Sequence, residues 1–458
     1  MFLNRERELE FLECWWSRGA GLAVLYGRRR IGKTELLRQF ARRKPALVYV
    51  AAQTTLSEQL REFSAALEEA VPEAAGVSFA DWTSAWRFLA ARSTQPLLLV
   101  LDEFPYLAEA DPALPSVIQR AWDGGLKDSQ LRVVLCGSSI SVMERSVLAE
   151  KSPLFGRRTA QYLLESLDFR EAGLFFPRLS TRERFHRFAV LGGVPAYCLQ
   201  FDPEQDLWDG VRDRILAKGA FLRDEVTFLL MQELREPRLY MAILTAIAEG
   251  RTRLGEIANR ALGPSGANQV SFYLQTLQTL GLIERVVPLT ESQPHKSRRG
   301  LYRLRDPFVR FWFRYVFPEQ TRLEMGLLEQ VLEQRIRPDF ASFCAPVFEE
   351  CCRQSLLRAR LAWSPARVGS WWSASSEVDV VAWDVAQRNL LVGECKWSGR
   401  PVGENVLADL DRNSHALIEE LSIPTVWRAL FAPSFTPALE RRAHQEGLLL
   451  FSLDELYG

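Results

Sequence analysis

The sequence predicts an α/β protein of several domains, and three observations support this prediction. An apolar strand at residues 22–26 is followed by a glycine-rich loop and an amphipathic helix. Three predicted helices and a hairpin follow each other over residues 238–304. Two predicted strands at 377–383 and 389–397 carry acidic residues and a lysine. At 458 residues the chain has room for about three domains, each with its own core.

Composition and charge are those of an ordinary globular protein, with 47% hydrophobic and 25% charged residues. The formal net charge is zero, which excludes a polycation and confines any nucleic-acid surface to a local patch. The N-terminus is charged from the fifth residue and is not expected to be a signal peptide. No apolar run approaches the roughly 18 residues of a membrane span. The seven cysteines form no CxxC pair, so we expect reduced thiols in a cytoplasmic protein.

The glycine-rich loop has the pattern G-x-x-x-x-G-K-[ST] between a strand and a helix. Glycines let backbone N–H groups turn inward around phosphates, and the helix dipole favours the same anion. Lys33 is expected to reach the β- and γ-phosphates, and the Thr34 hydroxyl to ligate Mg²⁺. The pattern predicts an ATP site that consists of Gly27, Arg28, Arg29, Arg30, Ile31, Gly32, Lys33, Thr34 and Glu35.

The rest of the first predicted domain, residues 1–165, alternates between helices and strands. Residues 4–16 predict a helix with Asn4 as N-cap, residues 46–51 a strand and residues 56–71 a helix. Residues 96–101 are a continuous apolar run, typical of a strand that is covered on both faces. This strand ends at Asp102, which is expected to hold the Mg²⁺ shell. Glu103 follows and is placed to polarise the attacking water as general base.

A further buried strand is predicted at residues 131–137, immediately before Ser138 and Ser139. A serine here either lies beside the γ-phosphate, where additional-strand P-loop ATPases have a sensor, or caps the next helix. We expect Ser138 to belong to the nucleotide site. Arg157 and Arg158 also allow two interpretations. They either stabilise transition-state charge, in cis or from a neighbouring subunit of a homo-oligomer, or form a solvated basic turn.

Several of these motifs resemble those of a known family. The runs NREREL, YGRRRIGKTELL, LVLDEFPYL, CGSSISVME, PLFGRR and LGGVPAY are similar to the archaeal-type ATPases of the signal-transducing P-loop ATPase group. The resemblance covers essentially the whole chain. It implies an AAA-like ATPase module with a helical lid, a winged helix and a C-terminal domain with a restriction-endonuclease-like core. It also implies ATP and Mg²⁺ as ligands of Lys33, Thr34, Asp102 and Glu103, but it names no substrate.

The predicted lid covers residues 166–235, where residues 182–190 and 207–230 are mostly helical by period. The segment LGGVPAY lies between these helices at residues 191–197. The resemblance implies that it senses nucleotide, whereas the two glycines before a proline are equally typical of a plain helix–helix turn.

Residues 236–325 predict a winged helix, because three helices precede a two-stranded wing. The third helix, residues 267–280, buries Val270, Tyr273, Leu274 and Leu277 on one face and offers polar side chains elsewhere, namely Asn268, Gln269, Gln275 and Gln278. The wing forms a basic patch suited to phosphates, which consists of His295, Lys296, Arg298, Arg299, Arg303 and Arg305. The contrast favours contact with a DNA backbone over sequence reading. Winged helices also serve as protein-interaction modules.

Residues 326–458 predict the restriction-endonuclease-like domain. A long helix at residues 340–358 carries Glu349 and is followed by a strand at 361–363. The next two strands carry Asp379 and Glu394-x-Lys396, a D…E-x-K pattern. Residues two apart on a strand face the same side, so Glu394 and Lys396 are expected to meet Asp379. Two carboxylates can hold Mg²⁺ while the ammonium acts on water, and Glu349 would complete the shell.

Two hypotheses follow for the whole chain. In the first, an ATPase regulates a DNA-contacting winged helix and a C-terminal domain with Mg²⁺-dependent nuclease activity. In the second, the chain is a nucleotide-switched regulatory or scaffold protein, and its acidic residues form an ion-paired network without nuclease activity. The complete Asp379, Glu394 and Lys396 set favours the first hypothesis. The third helix, which lacks Lys and Arg, favours the second.

Overall fold

The computed structural model of this chain describes residues 2–234, 236–263, 266–359, 361–384, 386 and 388–458, without the side chains of residues 267 and 268. The chain forms two compact units. The first consists of residues 1–167 and 194–196, and the second of residues 168–193 and 197–458. The finer division into lid, winged helix and C-terminal domain stays a prediction. None of the helices in the described ranges combines the length and the hydropathy that a membrane span requires.

The first unit is built on a five-stranded parallel sheet in the order β2-β3-β4-β1-β5. Its central strands are buried and mostly apolar, as expected for a parallel sheet that is covered on both faces. The strands are β1 Gly21–Tyr26, β2 Ala46–Val50, β3 Leu97–Asp102, β4 Leu131–Gly137 and β5 Ala160–Leu163. The helices are α1 Glu6–Ser17, α2 Lys33–Ala41, α3 Leu56–Ala70, α4 Trp82–Arg92, α5 Phe104–Ala110, α6 Leu114–Asp123 and α7 Ile140–Met143, which continues as a π-helical turn over Glu144–Leu148.

Strand β4 lies between β1 and β3 in this sheet. The carboxyl ends of β1, β3 and β4 therefore meet at one edge, where the phosphate-binding loop follows β1. In such parallel sheets ligands bind beyond the carboxyl ends of the strands. The α/β P-loop fold that the sequence predicts is confirmed.

The second unit begins with helices and a two-stranded antiparallel hairpin, β6–β7. Three consecutive helices, α13 to α15, precede this hairpin, and α15 buries Val270, Leu274 and Leu277. The elements are α8 Phe169–Gly173, α9 Thr181–Leu191, α10 Pro195–Cys198, α11 Leu207–Val211, α12 Glu225–Glu233, α13 Pro237–Ala248, α14 Leu254–Leu262, α15 Ala267–Thr279, β6 Ile283–Val286, β7 Leu301–Leu304, α16 Pro307–Phe311, α17 Gln320–Glu324 and α18 Leu328–Val331. The first two residues of α10 belong to the first unit. Helices α11, α16 and α18 continue as π-helical turns over Arg212–Leu216, Trp312–Val316 and Leu332–Ile336.

The remainder of the second unit is a mixed five-stranded sheet in the order β12-β11-β10-β9-β8. Strands β8, β9 and β10 are antiparallel neighbours, whereas β10, β11 and β12 run parallel. The elements are α19 Arg337–Leu356, β8 Arg367–Trp372, β9 Glu377–Asp384, β10 Asn389–Cys395, α20 Asn405–Leu421, β11 Thr425–Ala432, α21 Pro437–Glu446, β12 Leu449–Ser452 and α22 Leu453–Tyr457.

Three predicted elements differ from the structure. Residues 361–363 form no strand, and β8 begins only at Arg367, because Pro365 cannot donate a ladder hydrogen bond. The predicted helix 207–230 is interrupted between α11 and α12, where Gly219 has a φ of +77°. The first helix begins at Glu6, and its N-cap is Arg5 rather than Asn4.

Candidate functional site

The loop between β1 and α2 encloses the ammonium group of Lys33. The Lys33 Nζ atom donates hydrogen bonds of 2.9 Å to the carbonyl oxygens of Gly27 and Arg28. At Gly27, whose φ is +154°, a Cβ would collide with the carbonyl oxygen of Leu164. Gly32 has a φ of +92° and starts the helix as its N-cap. The glycines are therefore required by the loop conformation, and the loop holds a cation where phosphate oxygens are expected.

The Thr34 hydroxyl and the Asp102 carboxylate lie next to each other. Thr34 Oγ1 donates a 2.5 Å hydrogen bond to Asp102 Oδ2, although the two residues come from α2 and β3. Asp102 is almost fully buried, and its other oxygen accepts the backbone N–H of Glu103 at 2.9 Å. A hydroxyl beside a carboxylate is a hard-oxygen donor pair of the kind that Mg²⁺ prefers, so these residues fit that ion.

Glu103 has an unusual backbone conformation at the carboxyl end of β3. Its φ of +53° and ψ of +43° lie in the left-handed region, which costs a side-chain-bearing residue on the order of 1–3 kcal/mol. Its Oε2 atom accepts a 2.7 Å hydrogen bond from the Ser138 hydroxyl at the end of β4. The expected sensor therefore contacts the expected base. Ser139, the N-cap residue of α7, makes no capping hydrogen bond with its side chain.

Other predicted residues of the loop have contacts of their own. Arg29 Nη2 donates to the Tyr106 hydroxyl on α5 at 2.8 Å. Arg28 is buried, and the Glu35 side chain is exposed on the first turn of α2. Arg157 forms a bidentate pair with Asp123 at 3.0 and 3.2 Å, and Arg158 donates to Gln161 at 2.6 Å.

Arg5 is a residue of this site that sequence reasoning did not single out. Its guanidinium donates to the carbonyl oxygens of Ile31 at 3.2 Å and Glu165 at 3.0 Å, and it pairs with Glu8 at 2.7 Å. It therefore ties the phosphate-binding loop to the segment that follows β5. The run NREREL contains both Arg5 and Arg7, and hydrophobic periodicity does not distinguish a buried arginine from an exposed one.

Replacing Arg5 with Met is expected to weaken ATP binding about 10-fold. Two hydrogen bonds from a charged donor are lost, and each such bond contributes about 1.5–3 kcal/mol, so the loop is less well ordered. A titration with a fluorescent ATP analogue measures the effect. Arg7→Met is the matched control, because Arg7 is exposed on the same helix. Equal affinities of the two variants would contradict a role for Arg5 in positioning the loop.

A second group of predicted residues comes together on the sheet of the second unit. The ladder of β9 and β10 pairs Val380 with Gly393, which places Asp379 beside Glu394. Asp379 Oδ2 accepts the backbone N–H of Cys395 at 2.9 Å. The two predicted carboxylates are thus neighbours on adjacent strands.

Lys396 and Glu349 lie beside these two carboxylates, and each forms an ion pair. Lys396 Nζ pairs with Glu394 Oε1 at 2.7 Å and does not pair with Asp379. Glu349 approaches from α19, where Arg353 lies 3.6 Å from its carboxylate. Arg353 also donates to the backbone carbonyl of Asp379 at 2.8 Å. We call Glu349, Asp379, Glu394 and Lys396 the carboxylate cluster.

Burial, together with the negative charges of Glu349 and Glu394, raises the pKa of Asp379 to about 7. Burial likewise raises the pKa of Glu349, while Arg353 and Arg303 act in the opposite direction. Within the described residues, no group of three or more His, Cys, Asp or Glu side chains is arranged to hold a metal ion. Glu349 and Glu394 point instead toward Arg353 and Lys396, so Mg²⁺ at this cluster stays a prediction.

The predicted wing loop lies against the C-terminal sheet. Its exposed basic side chains include Lys296 and Arg298, whereas the Arg299 guanidinium donates to the backbone carbonyl of Trp372 on β8. Arg303 on β7 lies 3.7 Å from Glu377 on β9. Gln269, Gln275 and Gln278 are exposed on α15, and the Asn268 side chain lies outside the described residues.

A parallel sheet with a phosphate-binding loop after β1 and an acidic β3 end defines a P-loop ATPase. The family described as an ATPase domain predominantly from Archaea matches residues 2–197, and a family of archaeal and bacterial proteins of unknown function matches residues 312–407. An uncharacterized protein of Methanocaldococcus jannaschii is 33% identical over 402 residues, which cover 87% of this chain and 88% of the relative. This chain belongs to the archaeal P-loop ATPase family, and it is an ATPase.

Two further comparisons agree with this assignment. An uncharacterized ATP-binding protein of the same organism is 56% identical over 45 residues, which are 10% of this chain and 76% of the relative. The Walker-type ATPase of Pyrococcus abyssi is 20% identical, with a TM-score of 0.51 over 68% of this chain and 96% of that one. The last comparison bears on the fold alone.

Proposed function

We propose that this ATPase uses its nucleotide state to control a DNA-contacting winged helix and a nuclease-like C-terminal domain that requires Mg²⁺. The proposal rests on the position of Asp379 next to Glu394 on adjacent strands, with Lys396 beside them. It is joined in one chain to the Lys33, Thr34 and Asp102 arrangement of an ATPase.

In the ATPase reaction, Lys33 would exchange the carbonyl oxygens of Gly27 and Arg28 for phosphate oxygens. Thr34 and Asp102 would hold Mg²⁺, which when bound neutralises charge on the phosphates. Glu103 would accept a proton from the attacking water. Its hydrogen bond to Ser138 supports a role for this serine in orienting the carboxylate.

Replacing Ser138 with Ala is expected to lower ATP turnover at least about 10-fold, because Glu103 loses its hydroxyl donor near the γ-phosphate. Steady-state ATPase measurements at saturating ATP test this. Ser139→Ala is the matched control, since the Ser139 hydroxyl lies 3.4 Å from the nearby Ser141 hydroxyl, whereas Ser138 donates to Glu103. A normal rate for Ser138→Ala would remove Ser138 from the mechanism.

In the nuclease-like domain, Asp379 and Glu394 supply the oxygen donors that Mg²⁺ prefers, and their mutual repulsion is relieved by a cation. Mg²⁺ when bound polarises a phosphoryl oxygen and activates water. Lys396, whose side chain is 38% exposed, can orient that water or offset charge on the phosphate. The three helices α13–α15 and the hairpin β6–β7 support the winged-helix assignment and hence DNA as the partner.

Helix α9 packs beside residues that adjoin the carboxylate cluster. Its Phe185 ring lies 4.2 Å from the Trp397 ring and 5.8 Å from the Phe348 ring. Trp397 follows Lys396 in the sequence, and Phe348 precedes Glu349, so α9 supports the segments that carry these two members of the cluster.

The second candidate function is a nucleotide-switched scaffold with an inactive C-terminal domain. The ion pairs of Glu349 with Arg353 and of Glu394 with Lys396 favour it, because they neutralise the carboxylates without a metal. The test that separates the candidates is cleavage of labelled nucleic acids with Mn²⁺ and with chelator, in the presence and absence of ATP.

A further inference from the structure

We call residues 287–300, the loop between β6 and β7, the wing loop; it covers the open edge of the C-terminal sheet. Strand β8 is the edge strand of this sheet, and its carbonyl oxygens at Ser370 and Trp372 both accept hydrogen bonds from the loop. Ser370 accepts the backbone N–H of Leu289 at 2.9 Å, and Trp372 accepts the Arg299 guanidinium. The loop therefore satisfies backbone groups that an exposed edge strand would leave open.

The contact is apolar as well as hydrogen-bonded. Leu289 is 7% exposed and belongs to the same core cluster as Trp371 and Val378. A Cβ at Gly369 would lie 3.1 Å from Leu289 Cδ1, so the leucine packs closely against the β8 backbone. From the other side, Arg367 reaches the Glu291 carbonyl at 3.4 Å. The loop is thus a fixed part of the C-terminal sheet and does not extend freely from the three helices.

This attachment places basic side chains of the hairpin beside the carboxylate cluster. Arg303 lies 3.7 Å from Glu377, which shares its strand face with Asp379 two residues later. Arg303 also interacts electrostatically with Glu349 of the cluster. Further along the loop, Lys296 and Arg298 are exposed. The carboxylates of the cluster repel phosphates, whereas the basic side chains of the hairpin attract them.

We propose that the wing loop and the carboxylate cluster form one continuous surface for a nucleic-acid backbone. Lys296 and Arg298 hold phosphates on the loop, and Arg303 lies beside Glu377 next to the cluster. The attachment through Leu289 keeps these cations at a fixed distance from the cluster. This inference rests on the proposed function of the C-terminal domain and adds the surface through which that domain receives its partner.

The test uses the full-length chain with Asp379→Asn, so that binding is measured without cleavage. Its probes are labelled single-stranded DNA, duplex DNA and RNA, titrated by anisotropy in chelator at several salt concentrations. Lys296→Glu with Arg298→Glu is expected to weaken binding at least about 10-fold and to lower the salt slope by about one per removed contact. Arg441→Glu is the matched control, because Arg441 is exposed on α21, which packs against β12 at the opposite edge of the sheet.

The decisive variant is Leu289→Asn, which removes no charge but loosens the loop from β8. If the attachment matters, Leu289→Asn weakens binding about 10-fold, as the charge variant does. Hydrogen exchange should then rise in residues 287–300. Unchanged exchange in β9 and β10 would show that the sheet is still folded. Parent-like affinity of Leu289→Asn would mean that the wing acts independently, and this result would overturn the inference.

Two other outcomes also decide the matter. Parent-like affinity of the charge variant, or a parent that binds none of the probes, would overturn the inference. Cleavage by the wild-type chain with Mn²⁺ is measured separately. Binding that depends on Lys296, Arg298 and Leu289 without any cleavage would support the surface and contradict the nuclease function. Cleavage that none of these substitutions affects would support the nuclease function and contradict the proposed surface.

Discussion

Replacing Glu103 with Gln is expected to lower the ATP turnover number by about 100-fold or more while ATP stays bound. The substitution keeps the size of the side chain and removes the carboxylate that would accept the proton of the attacking water. Removal of a general base or of one electrostatic donor has effects of this magnitude. The strained backbone of Glu103, with its φ of +53°, supports the assignment, because such strain is concentrated at functional sites.

The measurement is steady-state and single-turnover ATP hydrolysis, together with the amount of ATP retained after rapid desalting. Glu109→Gln is the matched control, since Glu109 is an exposed glutamate on the helix that follows Glu103. Lys33→Ala provides the contrasting defect, because it removes the cation inside the loop and is expected to abolish turnover. Near-normal turnover of Glu103→Gln would exclude Glu103 as the base.

The nucleotide site can be predicted from the sequence because its residues lie at the ends of recognisable strands. The strand–loop–helix pattern placed Lys33 and Thr34, and the apolar run before Asp102 placed the acidic partner. Parallel strands bring their carboxyl ends to one edge of a sheet, so these separate motifs had to meet. The Thr34–Asp102 hydrogen bond is the direct consequence. The functional roles of these residues stay predictions.

Other contacts had no local pattern from which they could be predicted. The attachment of Leu289 to Ser370 joins a loop to a strand far along the chain, and its sequence surroundings are those of an ordinary turn. The same is true of Arg5, which contacts the phosphate-binding loop only because the fold brings the carbonyls of Ile31 and Glu165 to it. The apolar residues 361–363 predict a strand that the structure does not form, because their local pattern resembles one.

Replacing Asp379 with Ala or Asn is expected to abolish metal-dependent cleavage of nucleic acid, with a loss of at least about 100-fold. Asp379 is the carboxylate on which the cluster depends, because it lies beside Glu394 and receives the backbone N–H of Cys395. Asn has nearly the same size as Asp and can still accept the backbone N–H of Cys395, but it lacks the negative charge that would hold Mg²⁺. The same loss is expected when a chelator is added to the wild-type chain.

The assay follows labelled DNA and RNA with Mn²⁺, with Mg²⁺ and with chelator, in the presence of ATP, of ADP and of neither nucleotide. Glu440→Gln is the matched control, because Glu440 is an exposed carboxylate on α21. ATPase activity of each variant reports on folding of the first unit only, because Asp379 belongs to the second unit.

Two results would end the nuclease hypothesis for this chain. Equal cleavage by the wild type and Asp379→Asn would assign the activity to a contaminant. Absence of cleavage under every metal and nucleotide condition would favour the scaffold, in which Arg353 and Lys396 neutralise Glu349 and Glu394 permanently. In that case Lys396→Met should destabilise the C-terminal sheet, because it leaves the buried Glu394 carboxylate without its charged partner. In a working nuclease, a bound cation would take over that neutralisation.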